Sequence, residues 1–222
     1  MTSIAVIGAS TELGLAIARH FGARGFDVAL IDSDRYQLDD LVIELTREGM
    51  AAAAFPADVR DGVGLTQALK SAATSLGGID VLEYSVSDAH VSPLPSEIYE
   101  SHVHHQMGMQ LYGAIAATKV VLPAMRAAKT GTLLYTTGMG TDRLATPAAA
   151  DVSAAAAALR NWVLGLHQEL TGTGVYAGHV ALDVNIGQST FYGQPRATPD
   201  QISPIYWDLH TERDTAERIF TG

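Results

Sequence analysis

Residues 3–14 read Ser3-Ile4-Ala5-Val6-Ile7-Gly8-Ala9-Ser10-Thr11-Glu12-Leu13-Gly14, an apolar strand that runs into a glycine turn and then into a helix. This construction cradles a dinucleotide pyrophosphate. Gly8 lets the chain turn tightly at the strand end, Gly14 lets the helix pack close to the sheet, and helix-end N–H groups aim at the phosphates. A second apolar strand, 27–31, ends against Asp32, which falls about 20 residues beyond the turn. A carboxylate there accepts hydrogen bonds from an adenosine ribose and repels a 2′-phosphate, which favours NAD over NADP. The middle glycine of such turns is replaced by Glu12. A carboxylate about 5 Å from a phosphate charge costs roughly 0.8 kcal/mol at a dielectric of about 80 and about 3 kcal/mol at about 20. An ordinary strand-turn-helix without a ligand is the competing reading of these two glycines.

The rest of the chain sets the frame. At 222 residues, 47% of them hydrophobic, it suffices for one domain with a substantial core and needs no second one. No apolar run reaches a membrane span, and the N-terminus enters a strand without a basic leader, so a cytoplasmic protein is expected. Zero cysteines exclude disulfides, thiol catalysis and thiolate metal sites. A net charge of −10 argues against nucleic acid and anionic membrane, leaving small molecules and protein partners.

Strand and helix signals alternate throughout, the pattern of an α/β fold: a doubly wound, Rossmann-like parallel sheet with helices on both faces. Helices are expected over roughly 34–48, 62–76, 96–128, 147–170 and 198–209, and further strands over roughly 51–55, 79–85, 131–137, 175–182 and 216–220.

In this order the chain resembles the short-chain dehydrogenase/reductase family over essentially its full length. Gly8, Ala9, Ser10, Leu13 and Gly14 sit on the family's glycine motif, and Asp32 on its NAD-selecting acid. Asp58, in Ala57-Asp58-Val59, matches the aspartate that hydrogen-bonds the adenine edge. The resemblance thus implies a cofactor site of Gly8, Ser10, Leu13, Gly14, Asp32, Asp58 and Val59, a carbonyl or alcohol as substrate, and a homodimer or homotetramer paired through the two long helices. It places the substrate lid over 187–197, with Phe191, Tyr192 and Pro195.

The chemistry side departs from the family. Ile79-Asp80-Val81-Leu82 precedes Tyr84-Ser85-Val86-Ser87 in place of Asn-Asn-Ala-Gly, Gln110 stands for the helix asparagine, and Leu182-Asp183 for Pro-Gly. Val152 and Ala156 occupy the positions of the Tyr-x-x-x-Lys pair, and neither donates a proton. Thr137, or its neighbour Thr136, keeps a hydroxyl near the family serine. Tyr84 and Tyr135, on strands whose carboxyl ends face the cofactor crevice, are candidate substitute acids. Both have a plainer reading as packing residues. His102, His104 and His105 cannot all face one side of a helix, so no metal site is expected. No nucleophile elbow surrounds Ser10 or Ser153. Three functions follow: an NAD(H)-dependent oxidoreductase with an unusual proton route, a dinucleotide-binding protein without turnover, and an interaction subunit that has lost the ligand.

Overall fold

The computed structural model describes residues 2–87, 92–138, 149–187 and 195–222. Its frame is a seven-stranded sheet in the order β3-β2-β1-β4-β5-β6-β9, every neighbouring pair parallel. The strands are β1 (Ser3–Ile7), β2 (Asp27–Ile31), β3 (Ala52–Ala54), β4 (Val81–Tyr84), β5 (Gly131–Thr137), β6 (Val175–Leu182) and β9 (Glu217–Phe220). A two-stranded ladder, β7 (Asn185–Ile186) with β8 (Arg196–Ala197), lies beyond β6.

Five strands are short apolar runs buried on both faces, as a sheet covered by helices on both sides requires. The two-residue period divides them between two cores. Ala5, Ile7, Leu82, Tyr84, Leu133 and Tyr135 pack against α3 (Gly62–Leu76), α5 (Gly113–Ala128) and α6 (Ala150–Leu170). Ile4, Val6, Val81 and Leu134 pack on the other face against α1 (Glu12–Gly22), α2 (Arg35–Arg47) and α8 (Pro204–Glu212). Helix starts are capped by side chains: Thr11 accepts from the Gly14 amide, Asp34 from Gln37 and Asp61 from Val63. Strand order reverses at β1, whose neighbours are β2 and β4. The carboxyl ends of β1 and β4 therefore open a crevice at a topological switch point.

Two expected helices are corrected. The stretch expected over 96–128 begins at Glu100 and is interrupted: α4 (Glu100–Met107) passes through a π-helical turn, Gly108–Tyr112, into α5. That turn widens the coil beside the crevice, as single π-turns at functional sites commonly do. The helix expected over 198–209 is two, α7 (Pro199–Ile202) and α8, because Pro204 has no N–H to continue the first and instead opens the second. The ladder of β7 and β8 was absent from the sequence reading. Pro147, Phe191 and Tyr192 fall outside the described residues, while the Pro195 carbonyl accepts from the Asn185 amide at 2.8 Å.

Candidate active site

The glycine turn is built by close approach. Gly8 has φ +93°, and a Cβ there would stand 2.5 Å from the Ser85 carbonyl oxygen at the end of β4. A Cβ on Gly14 would meet the Gly8 carbonyl oxygen at 2.4 Å, so only glycine lets α1 start against the turn. Thr11 ties the two together, its hydroxyl donating to Gly8 O at 2.8 Å and accepting from Gly14 N at 2.9 Å. The amides of Glu12 and Leu13 open the first turn of α1, where no carbonyl lies behind them, and the helix dipole makes this end attractive to an anion. Leu13 itself is buried against the core, and Ser10 Oγ is buried with no hydrogen-bond partner among the described residues.

Beside the turn lies a cavity of about 230 Å³ lined by Gly8, Asp32, Asp58, Val59, Arg60 and His105, among others. Asp32 faces it from the end of β2, its carboxylate accepting from Ser10 N at 3.1 Å and Ser33 N at 2.7 Å. Asp58 is engaged by Arg60, whose Nη2 donates at 2.7 Å. That hydrogen bond is the main reason its carboxyl lies below the ordinary aspartate range, and burial opposes it.

A larger cavity of about 390 Å³ adjoins the first and shares Val86, Ser87 and Met109 with it. Glu12, Ser85, Gln110, Thr136, Thr137 and Val152 are among its walls. Gln110 projects from the π-turn and donates to Gln106 Oε1 at 3.2 Å and to the Val152 carbonyl at 3.3 Å. The Glu12 carboxylate lies where a Cβ on Gly187 would stand, so the two residues are close neighbours at the edge of this cavity.

Tyr84 and Tyr135, the two candidate acids, line neither cavity, which favours their plainer reading as packing residues. Tyr84 is 1% exposed and donates its hydroxyl to the Met109 carbonyl in the π-turn; Gly113 makes the space, since a Cβ there would strike that hydroxyl. Tyr135 is fully buried, bonded to the Thr118 hydroxyl and edge-on to Trp162. Burial pushes both phenols well above their usual range, so neither exchanges a proton near neutrality.

Two polar lines run into the sheet behind the larger cavity. Glu83, fully buried on β4, accepts from Ser85 Oγ at 3.0 Å and Thr136 Oγ1 at 3.2 Å, and burial pushes its carboxyl up to about 8. Thr136 also meets the Tyr206 hydroxyl at 2.7 Å. Thr137 bonds His179 on β6, and His179 bonds Glu217 on β9. Neither line is visible in the sequence, where the partners on different elements stand 38 to 70 positions apart. The one hint was an unexplained Glu and His inside otherwise apolar strands. The helix histidines serve elsewhere: His102 Nδ1 accepts from the Tyr99 amide at 3.0 Å, and His104 lies against the Tyr112 ring. Among the described residues no three metal-binding side chains gather, and no helix is long and apolar enough to cross a membrane.

A dinucleotide fits the adjoining cavities at the turn, where a Cβ on Gly8 or Gly14 would close the cradle, and at Asp32. Glu12 adds one negative charge where the phosphates would pass. Comparisons with known proteins agree with this arrangement. The family profile "short chain dehydrogenase" matches residues 2–184. The chain is 30% identical to "Oxidoreductase UcpA" of Salmonella typhimurium over 173 residues and 29% identical to that of Escherichia coli K12 over 172. These alignments cover 77% of this chain and 64% of each relative, so the chain spans under two thirds of their length. Among solved structures, a 7α-hydroxysteroid dehydrogenase complexed with NADH superimposes with a TM-score of 0.91 at 17% identity, covering 100% of this chain and 93% of that one. A metagenomic short-chain oxidoreductase in complex with NADP gives 0.85 at 21%, covering 99% and 96%. With a matching profile over most of its length and the glycine turn in place, the chain belongs to the short-chain dehydrogenase/reductase family.

Proposed function

We propose that the protein is an oxidoreductase that uses NAD(H), in preference to NADP(H), to interconvert an alcohol and a carbonyl compound. The observation that carries this reading is Asp32, a carboxylate on the wall of the smaller cavity, one turn away from the Gly8 backbone. Gly8, Ser10 and Gly14 would shape the phosphate cradle, Leu13 would offer its amide and buttress it, and Asp58 and Val59 would flank the adenine. A carboxylate at position 32 would accept ribose hydroxyls and repel a 2′-phosphate. The bound nicotinamide would supply the hydride acceptor or donor. The chain's own work is to orient both partners, exclude water and handle one proton. With Tyr84 and Tyr135 buried and Val152 on the cavity wall, that proton falls to the hydroxyl of Thr137.

A second reading, a dinucleotide-binding protein without turnover, is favoured by Glu12 and by Val152 and Ala156 at the tyrosine and lysine positions. The two separate in one assay, which follows nicotinamide absorbance with pure protein across a panel of secondary alcohols with NAD+ and of ketones with NADH. Turnover supports the oxidoreductase; saturable binding with no turnover supports the second reading. We also propose a homodimer or homotetramer, supported by Ala154, Ala157, Asn161 and Gly165, which leave one exposed face of α6 small enough for close helix contact. Light scattering that returns the monomer mass of 23.4 kDa would contradict it.

A further inference from the structure

Three side chains from three neighbouring strands stand in line, running from Thr137 at the carboxyl end of β5 through His179 in the middle of β6 to Glu217 at the start of β9. Thr137 Oγ1 lies 2.9 Å from His179 Nε2, and His179 Nδ1 lies 2.9 Å from Glu217 Oε1. Arg160 of α6 closes the line, its Nη2 2.6 Å from Glu217 Oε2. His179 is fully buried, while Thr137 forms part of the wall of the larger cavity, so the line begins at the cleft.

The ionisation of Glu217 orders the protons along the line. Glu217 is held below the ordinary glutamate range, first by its hydrogen bond from Arg160 and also by His179, against its burial. It is therefore an ionised acceptor, and His179 Nδ1 must carry the hydrogen between them. Burial lowers the affinity of the His179 ring for a second proton. Glu217 works against that, and Arg160 adds to it. Of the other groups around the ring, Tyr135 beside it on β5 is neutral, and His167 of α6 is bonded to the Ala177 carbonyl. The ring is then neutral at pH 7, with a lone pair on Nε2, and Thr137 donates its hydroxyl hydrogen to that lone pair. A hydroxyl that donates inward can accept from an O–H in the cleft.

We propose that Thr137, His179 and Glu217 are the proton relay of this enzyme, with Thr137 the catalytic residue that takes the proton of a bound alcohol and His179 the base behind it. The proposal rests on the oxidoreductase reading above. As the alcohol is oxidised, its C–H bond would break and the hydrogen would leave with the bonding electron pair as a hydride to the nicotinamide of a bound NAD+. Its O–H proton moves to Thr137 Oγ1 and the Thr137 proton to His179 Nε2. The carbonyl product leaves, and the new imidazolium is held by the ionised Glu217. His179 and Glu217 touch no substrate; they position and charge Thr137. Because the resting ring is neutral, the relay favours alcohol oxidation at neutral pH, and its rate rises with pH through a value below 6.5 and is level above it.

The test joins a spectroscopic and a kinetic measurement. Imidazole ¹⁵N shifts of the labelled protein should show His179 protonated on Nδ1 alone at pH 7. Thr137→Val, which keeps the shape and removes the hydroxyl, should lower kcat for alcohol oxidation by about 10²-fold or more with NADH affinity unchanged, and Thr137→Ser should restore most of it. An Nε2-protonated ring, turnover that survives Thr137→Val, or a wild-type protein that binds the dinucleotide and oxidises no alcohol overturns the relay. Absence of dinucleotide binding overturns the underlying reading instead. A Thr137→Val protein that is unfolded by circular dichroism leaves the ring tautomer and the wild-type pH profile to decide, and a profile without an inflection below 6.5 overturns the relay as well.

Discussion

Glu83 makes stability depend on pH in a direction opposite to that of most carboxylates. It is fully buried, its only hydrogen bonds among the described residues come from Ser85 and Thr136, and burial pushes its carboxyl from 4.5 to about 8. A folded-state value above the unfolded one means that the native protein holds a proton the unfolded chain releases. Its contribution is fully present below 4.5 and is lost as pH rises through about 8. At 1.36 kcal/mol for each unit of pH separation, the loss between about pH 5 and about pH 8 is at most about 3 to 4 kcal/mol. Glu83→Gln keeps the shape, removes the titration and can still bond both hydroxyls. In urea unfolding at the two pH values, the variant should gain on the wild type by about 3 kcal/mol at the higher pH, and its own profile should be flatter. Parallel profiles for the two proteins would refute the reasoning, because they would mean that Glu83 is ionised or solvated in the native state.

Glu12→Gln should tighten NADH by several-fold to about two hundredfold, the span of roughly 0.8 to 3 kcal/mol for one carboxylate near a phosphate, and unchanged affinity in a calorimetric titration would show that the carboxylate points away from the phosphates. Asp32→Ala should weaken NADH by about 1.5 to 3 kcal/mol and reduce the preference over NADPH, because a charged hydrogen-bond partner is lost; a ratio of the two dissociation constants that stays fixed would remove Asp32 from the selectivity. Gly14→Ala places a Cβ 2.4 Å from the Gly8 carbonyl oxygen. It should cost about 1 to 3 kcal/mol of stability in denaturant titration and abolish NADH binding at the same time, and a fully stable variant that binds normally would contradict the tight turn.

Much of the frame was legible because it is local. The strand, glycine and helix of residues 3–14 act within a few positions of themselves, and the carboxylate at 32 directly follows the second apolar strand. The interruption of α4 and α5 was not legible. A π-turn adds one residue to the register, and although Gly108 and Gly113 flank it, a glycine inside a helical pattern does not report that extra residue. Tyr84 and Tyr135 misled for a similar reason. A strand's carboxyl end lies at the crevice, but side chains alternate across the sheet, and these two point into the core under α5 and α6. The Thr137, His179 and Glu217 line required the register of β5 with β6 and of β6 with β9. Nothing in a linear pattern reports which residues of three parallel strands come side by side.

The measurement that bears most directly on the whole account is a titration of the purified protein with NADH and with NADPH, followed by nicotinamide fluorescence at low and moderate salt. The account predicts saturable binding with NADH the tighter ligand. No saturation at millimolar concentrations, or tighter NADPH, would contradict it.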